Sequence, residues 1–152
     1  MSDLVYLDIC CFKRPFDDAS QERIRQEATA VAAALAAAER GAIRLVRSPA
    51  HDLENGRNPR EDRRLATALW LDAAAVRLPA SAEATERARE LVAMGFTPID
   101  ALHLAFAEHA QAQWFVTTDD RLLKRGRAQA DRLRIPVTGP MRLPLPEGEG
   151  EG

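Results

Sequence analysis

The chain has 152 residues, of which 46% are hydrophobic and 29% are charged, and its formal net charge is −2. This length suits one domain with one sizeable core, and the small negative charge excludes a strongly basic protein that coats nucleic acid. No apolar run approaches the roughly 20 residues of a membrane span, and Met1-Ser2-Asp3 lacks the basic start of a signal peptide, so we expect a cytoplasmic protein without membrane contact.

Short apolar runs alternate along the chain with longer segments whose apolar residues recur at helical spacing. The short runs predict buried strands, and Ser, Asn or Thr before Pro predicts the start of a helix. We predict strands over 4–7, 43–46, 76–78 and 114–117 and an edge strand over 135–137. We predict helices from 20 or 21 to 40, from Ser48-Pro49 (a short helix), from Asn58-Pro59 to about 74, from Ser81 to about 94, from Thr97-Pro98 to about 110 and from 119 to about 128. A loop is predicted over 12–18.

Strands that alternate with helices are typical of an α/β fold, so we predict a single-domain parallel β-sheet flanked by helices. The domain is expected to span residues 1–142. The last ten residues, 143–152, are proline, glycine and glutamate apart from two leucines, a composition that cannot bury enough surface to order itself. We therefore predict a disordered tail over 143–152.

Four acidic residues lie where such a sheet builds its sites. Asp8 and Asp119 directly follow predicted strands, while Glu54 and Asp100 lie on helices that begin near the same edge. Sites in parallel sheets form at the carboxyl ends of the strands. Crowded carboxylates raise one another's pKa unless a cation neutralises them, and oxygen ligands suit the hard ions Mg²⁺ and Mn²⁺. The pattern therefore indicates a metal site for phosphoryl chemistry.

Each of these acids also has a structural explanation. Asp100 is the third residue of a capping pattern that starts at Thr97, and Asp119 suits the N-cap of the helix that follows it. Glu54 fits a solvated helix face, and Asp8 fits a loop position that accepts backbone N–H bonds. Taken one at a time, the acids do not decide between structure and catalysis.

Other residues near these acids are interpreted as structural. Asp52 is two residues from Glu54 and so points to a different helix face, and Asp120 is interpreted as a first-turn helix charge. His103 lies on the helix face of Asp100 but is interpreted as a hydrogen-bonded core residue. His51 and His109 have no metal-ligand spacing.

Three segments, in this order and at these intervals, together form a family signature. They are Tyr6-Leu7-Asp8 with the following Cys10-Cys11-Phe12-Lys13-Arg14-Pro15-Phe16-Asp17-Asp18, then Asp100-Ala101-Leu102-His103-Leu104-Ala105, and finally Val116-Thr117-Thr118-Asp119-Asp120-Arg121-Leu122. From Val5 to about Val137 the chain resembles the PIN-domain family of metal-dependent ribonucleases, which includes the toxins of VapBC toxin–antitoxin pairs.

The resemblance implies a role for particular residues. Asp8, Glu54, Asp100 and Asp119 match the family's four acids, which hold Mg²⁺ or Mn²⁺, and Thr117 matches the small hydroxyl residue that supports the last acid. Many family members have Ser, Thr or Asn just after the first Asp, whereas Ile9-Cys10 follows it here. The resemblance further implies an RNA substrate, a protein antitoxin whose helix covers the active-site groove, and a homodimer.

Basic residues follow three of the acids and predict contacts with RNA phosphates, which give affinity without sequence choice. These residues are Lys13, Arg14, Arg57, Arg60, Arg121, Lys124 and Arg125. The favoured function is therefore a metal-dependent endoribonuclease that acts as a toxin. Three alternatives remain open: a non-catalytic RNA-binding or scaffold PIN domain, a housekeeping RNA-processing nuclease, and a phosphatase that uses Asp8 as nucleophile, which Cys10 in place of a second aspartate disfavours.

Overall fold

The computed structural model describes residues 2–146, and within them the chain forms five strands and seven α-helices. The strands are β1 (Asp3–Leu7), β2 (Ile43–Arg47), β3 (Val76–Arg77), β4 (Trp114–Val116) and β5 (Val137–Thr138). The helices are α1 (Ile9–Lys13), α2 (Glu22–Glu39), α3 (Pro49–Gly56), α4 (Glu61–Asp72), α5 (Ala82–Ala93), α6 (Pro98–His109) and α7 (Asp120–Ala128), with 3₁₀ turns at Arg14–Phe16 and Pro140–Arg142.

The strands form one parallel sheet in the order β3-β2-β1-β4-β5, which confirms the predicted α/β fold. Strand β1 is central: Asp3 pairs with Ile43 of β2, and Leu7 pairs with Val116 of β4. Strand β5 is an edge strand, and the segment before it supplies the carbonyl of Pro136 to the amide of Phe115 at 3.0 Å. Because all the strands run in one direction, their carboxyl ends share one edge of the sheet.

The sheet separates two apolar layers, because successive residues of β1 point to opposite faces. Tyr6 packs in the layer beneath α5 and α6, together with Leu91 and Leu104. Leu7 packs in the layer beneath α2, together with Val31. All five side chains are almost fully buried. The core on both faces of β1 therefore holds the end of that strand, and the residue that follows it, in one position.

Most predicted helix starts are confirmed, and one is wrong. The hydroxyls of Ser81 and Thr97 accept hydrogen bonds from backbone amides three residues ahead, at 3.2 and 3.3 Å, as N-caps do. Helix α4, however, begins at Glu61 rather than directly after Asn58-Pro59. The side chain of Asn58 instead accepts from the amide of Arg60 at 3.0 Å, which makes a local turn that delays the helix.

Two further predictions need correction. The loop predicted over 12–18 is in part helical: α1 runs from Ile9 to Lys13, and Pro15 then lies in the first turn of the 3₁₀ helix Arg14–Phe16, where a missing N–H costs no hydrogen bond. The tail boundary after residue 142 is too early, because Leu143 is buried against the α2 layer and Leu145 packs beside it. Residues 147–152 of the predicted tail lie outside the described residues. Among residues 2–146, no helix has the length and apolar character needed to cross a membrane.

Candidate active site

Asp8 is a buried carboxylate at the carboxyl end of the central strand. Its Oδ1 accepts the amide of Ile9 at 2.9 Å, and its Oδ2 accepts the hydroxyl of Thr117 at 2.7 Å. The Cys10 thiol also donates to Oδ2, at 3.4 Å. Cys10 thus supplies a polar contact near the position where many relatives have Ser, Thr or Asn. A carboxylate buried to this degree (5% exposed) needs such donors to offset the loss of water.

Thr117 links two of the acids across neighbouring strand ends. Its hydroxyl donates to Asp8 and accepts the backbone amide of Asp119 at 3.1 Å. Asp119 in turn is the N-cap of α7, and its Oδ1 accepts the amides of Arg121 and Leu122 at 2.9 and 3.4 Å. A single hydroxyl therefore sets the spacing between Asp8 and Asp119. The capping explanation and the site explanation for Asp119 are compatible, because capping uses only one carboxylate oxygen.

Asp100 lies in the first turn of α6, where the negative charges of Asp8 and Asp119 act on its carboxylate. Burial, with the charges of Asp8 and Asp119, raises the pKa of Asp100 to about 6, against a smaller opposing effect of its hydrogen bond to Thr97. The charge of Asp8, and more weakly that of Asp119, therefore acts on Asp100 in a partly buried pocket at this edge of the sheet. Such a pocket is electrostatically unfavourable until a proton or a cation enters it.

Glu54 reaches the same pocket from α3 and meets His103 of α6. The Nε2 atom of His103 lies 2.7 Å from Glu54 Oε1 and 3.9 Å from Asp8 Oδ1. Burial acts to raise the pKa of Glu54, but the hydrogen bond and charge of His103, with the charges of Lys13 and Arg57, lower it overall. One ligand atom each from Asp8, Glu54 and His103 lie within 4.8 Å of one another, which is close enough to surround one metal ion.

The sequence predicted only part of the environment of His103. It is fully buried and hydrogen-bonded, as predicted for a core residue, but one of its hydrogen bonds goes to a site carboxylate. Its other ring nitrogen, Nδ1, lies 2.6 Å from the hydroxyl of Tyr6. The signal available from sequence was its position three residues after Asp100, on the same helix face.

Two neighbouring acids point away from the pocket. Asp52 pairs with Arg47, with 2.8 Å between Oδ1 and Nη2. Asp120 pairs with Arg23 of α2. Both carboxylates are mostly exposed and each has a cationic partner of its own, so neither shares the crowding of the pocket.

The predicted RNA-binding residues lie in different environments. Lys13 and Arg57 lie near the pocket, because their charges lower the pKa of Glu54. Arg121 and Lys124 are exposed on α7, the helix that Asp119 caps. Arg14 is instead mostly buried. It pairs with Asp17 at 3.1 Å and with Glu27 at 3.4 Å. The guanidinium of Arg125 lies against Gly95.

The PIN-domain family model matches residues 5–128, so the chain belongs to the PIN-domain family. Members of this family are generally metal-dependent nucleases, and the acids at the edge of the sheet agree with that class. A search of curated proteins finds no match. The donor set near Asp8 is made of carboxylate oxygens and one imidazole, and burial together with the charge of Asp8 raises the pKa of Asp100. Both features fit a divalent cation.

Proposed function

We propose that the protein is an endoribonuclease that uses Mg²⁺ or Mn²⁺ to hydrolyse RNA phosphodiester bonds. Asp8, Glu54, Asp100 and Asp119 would hold the metal, and Thr117 would support Asp8 and Asp119. The observation that carries this proposal is the convergence of Asp8, Glu54 and His103 at the edge of the sheet, where one ligand atom of each lies within 4.8 Å of the others. The raised pKa of Asp100, due to burial and to the charge of Asp8, agrees with it. When bound, the divalent ion lowers the pKa of water and offsets charge on the phosphate.

The chain's own residues then have separable tasks. Hydrogen bonds from Thr117 and Ile9 fix the orientation of Asp8, so its carboxylate needs no rearrangement when substrate arrives. The exposed side chains of Arg121 and Lys124 are suited to contact RNA phosphates beside the pocket. Lys13 and Arg57 add positive charge on the side of Glu54.

We further propose that this nuclease is the toxin of a toxin–antitoxin pair and acts as a homodimer. The support is the resemblance of the chain to the PIN-domain family, which includes the toxins of toxin–antitoxin pairs. A short reading frame with a DNA-binding N-terminus directly upstream of the gene would agree with the toxin role, whereas its absence would favour a housekeeping nuclease. Light scattering at tens of micromolar tests the dimer, and a monomer there would contradict it.

Metal dependence is the first test of the nuclease proposal. Purified protein should cleave single-stranded RNA in Mg²⁺ or Mn²⁺ and should stop when EDTA is added, because the carboxylates alone cannot offset the negative charge of the phosphate. Activity that survives EDTA and dialysis would rule out the metal mechanism.

A second test separates catalysis from RNA binding. Asp8→Asn and Asp119→Asn should abolish cleavage and keep or increase RNA affinity, because each removes a negative charge near the phosphates. Asparagine also retains the N-cap of α7 at position 119. Arg121→Ala and Lys124→Ala should weaken binding and reduce its salt dependence, while single-turnover cleavage at saturating RNA stays largely intact.

The control for the acid variants is Asp52→Asn, which removes an exposed carboxylate near Glu54 that pairs with Arg47. It should cleave like the wild type. If Asp8→Asn and Asp119→Asn still cut, or lose cleavage only in proportion to lost binding, these carboxylates are not metal ligands and a non-catalytic RNA-binding domain becomes the better description.

A further inference from the structure

A line of hydrogen bonds runs through the core and ends at the metal site. The hydroxyls of Ser48 and Tyr6 are 2.6 Å apart, Tyr6 is 2.6 Å from His103 Nδ1, and His103 Nε2 is 2.7 Å from Glu54. Ser48, Tyr6 and His103 are each at most 1% exposed. These four side chains therefore form one hydrogen-bonded group, and Glu54 is the member that lies at the pocket.

The direction of these bonds follows from what each group is able to donate. The Glu54 carboxylate only accepts, so His103 Nε2 carries the hydrogen and donates it. The Tyr6 hydroxyl bridges His103 Nδ1 and the Ser48 hydroxyl, and it is able to donate to one of them and accept from the other. Every polar atom in the line has a partner, as a buried network requires.

The imidazole of His103 has little freedom to move, because its hydrogen-bond partner Tyr6 is packed tightly in the core. The ring of Tyr6 lies between His51 and Phe115, with ring centroids 4.5 and 5.3 Å away and nearly parallel planes. His51 is fixed at both nitrogens: Nδ1 accepts the Ser48 amide at 3.0 Å, and Nε2 contacts the Leu7 carbonyl at 2.7 Å. The stack thus connects the position of His103 to the backbone of β1.

Glu54 needs such support more than the aspartates do. It has a longer side chain, its side chain is 31% exposed, and α3 is a short helix at the edge of the pocket. Fixing a glutamate side chain costs more rotamer entropy than fixing a shorter one. Hydrogen bonds to a metal-binding carboxylate from outer residues change metal affinity by about 10- to 100-fold.

We propose that His103 is a positioning residue, which Tyr6 and Ser48 hold so that its Nε2–H fixes the Glu54 carboxylate beside Asp8 for metal binding. This proposal rests on the proposed metal site. The competing role is that His103 binds the metal itself. That role requires Nε2 to give up its hydrogen and its bond to Glu54, and hard ions prefer oxygen to nitrogen.

The first test measures metal affinity without RNA or activity. Free Mn²⁺ is followed by electron paramagnetic resonance in titrations of wild-type protein and variants that circular dichroism shows to be folded. His103→Leu removes the donor and should weaken Mn²⁺ binding by about 10- to 100-fold. His103→Gln, whose amide is able to donate to Glu54, should recover part of the loss, and Tyr6→Phe should weaken binding by a smaller factor. The matched control is His109→Leu, at the exposed end of the same helix.

The second test needs no variant and so does not depend on whether His103→Leu folds. Imidazole ¹⁵N shifts of wild-type His103 should report a hydrogen on Nε2 both without metal and in saturating Mg²⁺. Loss of the Nε2 hydrogen in Mg²⁺ would make His103 a ligand and overturn the proposal. Unchanged Mn²⁺ affinity in His103→Leu would also overturn it, while leaving the metal site intact. A wild type that binds no Mn²⁺ would refute the proposed site and this role together.

Discussion

Replacing Asp100 with asparagine should stabilise the metal-free protein at neutral pH. Asp100 is ionised at that pH, although burial and repulsion from Asp8 and Asp119 disfavour its negative charge and raise its pKa to about 6. Asparagine has nearly the same shape but carries no charge, so it removes this repulsion. The same substitution at an acid that interacts only with a helix N-terminus would lower the stability slightly instead, because it removes a favourable negative charge.

The size of the effect follows from linkage. A rise in pKa from a usual value of about 3.8 to about 6 corresponds to about 3 kcal/mol at full strength. Asp100 is only half-buried, so solvent screening reduces this figure. Loss of a negative charge from the first turn of α6 subtracts up to about 1 kcal/mol more. We therefore expect a gain of about 1 kcal/mol at pH 7.5, or roughly 2–4 °C in Tm for a chain of this size.

The pH dependence has a definite sign. The folded protein holds the Asp100 proton more tightly than the unfolded chain does, so this group destabilises the fold as pH rises from about 4 through about 6. The Tm advantage of Asp100→Asn should therefore be full at pH 7.5 and absent at pH 4. Saturating Mg²⁺ should reverse the order, because it stabilises the wild type by mass action and binds the variant less well.

Differential scanning calorimetry in EDTA at pH 4.0, 6.0 and 7.5, and again in Mg²⁺, tests these expectations. The control is Glu83→Gln, which removes an exposed acid from the first turn of α5 and should lower Tm slightly or leave it unchanged. If Asp100→Asn has a lower Tm than the wild type at pH 7.5 without metal, the carboxylates are not in electrostatic conflict and Asp100 is a structural residue of its helix.

Two further predictions concern residues beside the site. Gly95→Ala should destabilise the fold by at least about 1 kcal/mol, because Gly95 has a φ of +106° and an added methyl group would meet the Arg125 guanidinium. Urea denaturation measures this loss, and an unchanged urea midpoint would contradict the prediction. Asp120→Asn removes only a mostly exposed ion pair with Arg23, so it should leave the Tm unchanged and keep full RNA cleavage, unlike Asp119→Asn. Loss of cleavage would assign Asp120 to the site.

Local sequence patterns determined most of the elements and the positions of two acids, Asp8 and Asp100. The apolar run before Asp8 is long enough for a buried strand, and a carboxylate directly after such a run lies at the carboxyl edge of a parallel sheet. Thr97-Pro98 predicts the start of α6 through interactions within four residues, and this start fixes Asp100 in the first turn. These features depend on neighbours in the chain, so they can be predicted from the sequence alone.

Other features depended on residues far apart in the chain. Arg14 follows Asp8 closely, yet its partner Glu27 lies on α2, so its charge is used inside the protein rather than offered to RNA. The late start of α4 has a local cause instead, because the side chain of Asn58 accepts from the amide of Arg60 and so competes with the helix for a backbone donor.

His103 is the clearest case of a role that only the tertiary structure decided. Helical spacing placed it on the face of Asp100, but its partners Tyr6 and Glu54 are 97 and 49 residues away along the chain. Whether an imidazole on that face meets apolar side chains or a carboxylate depends on how α3 and α6 pack against the sheet. Periodicity specifies which way a side chain points from its own helix, whereas only packing specifies what it meets there.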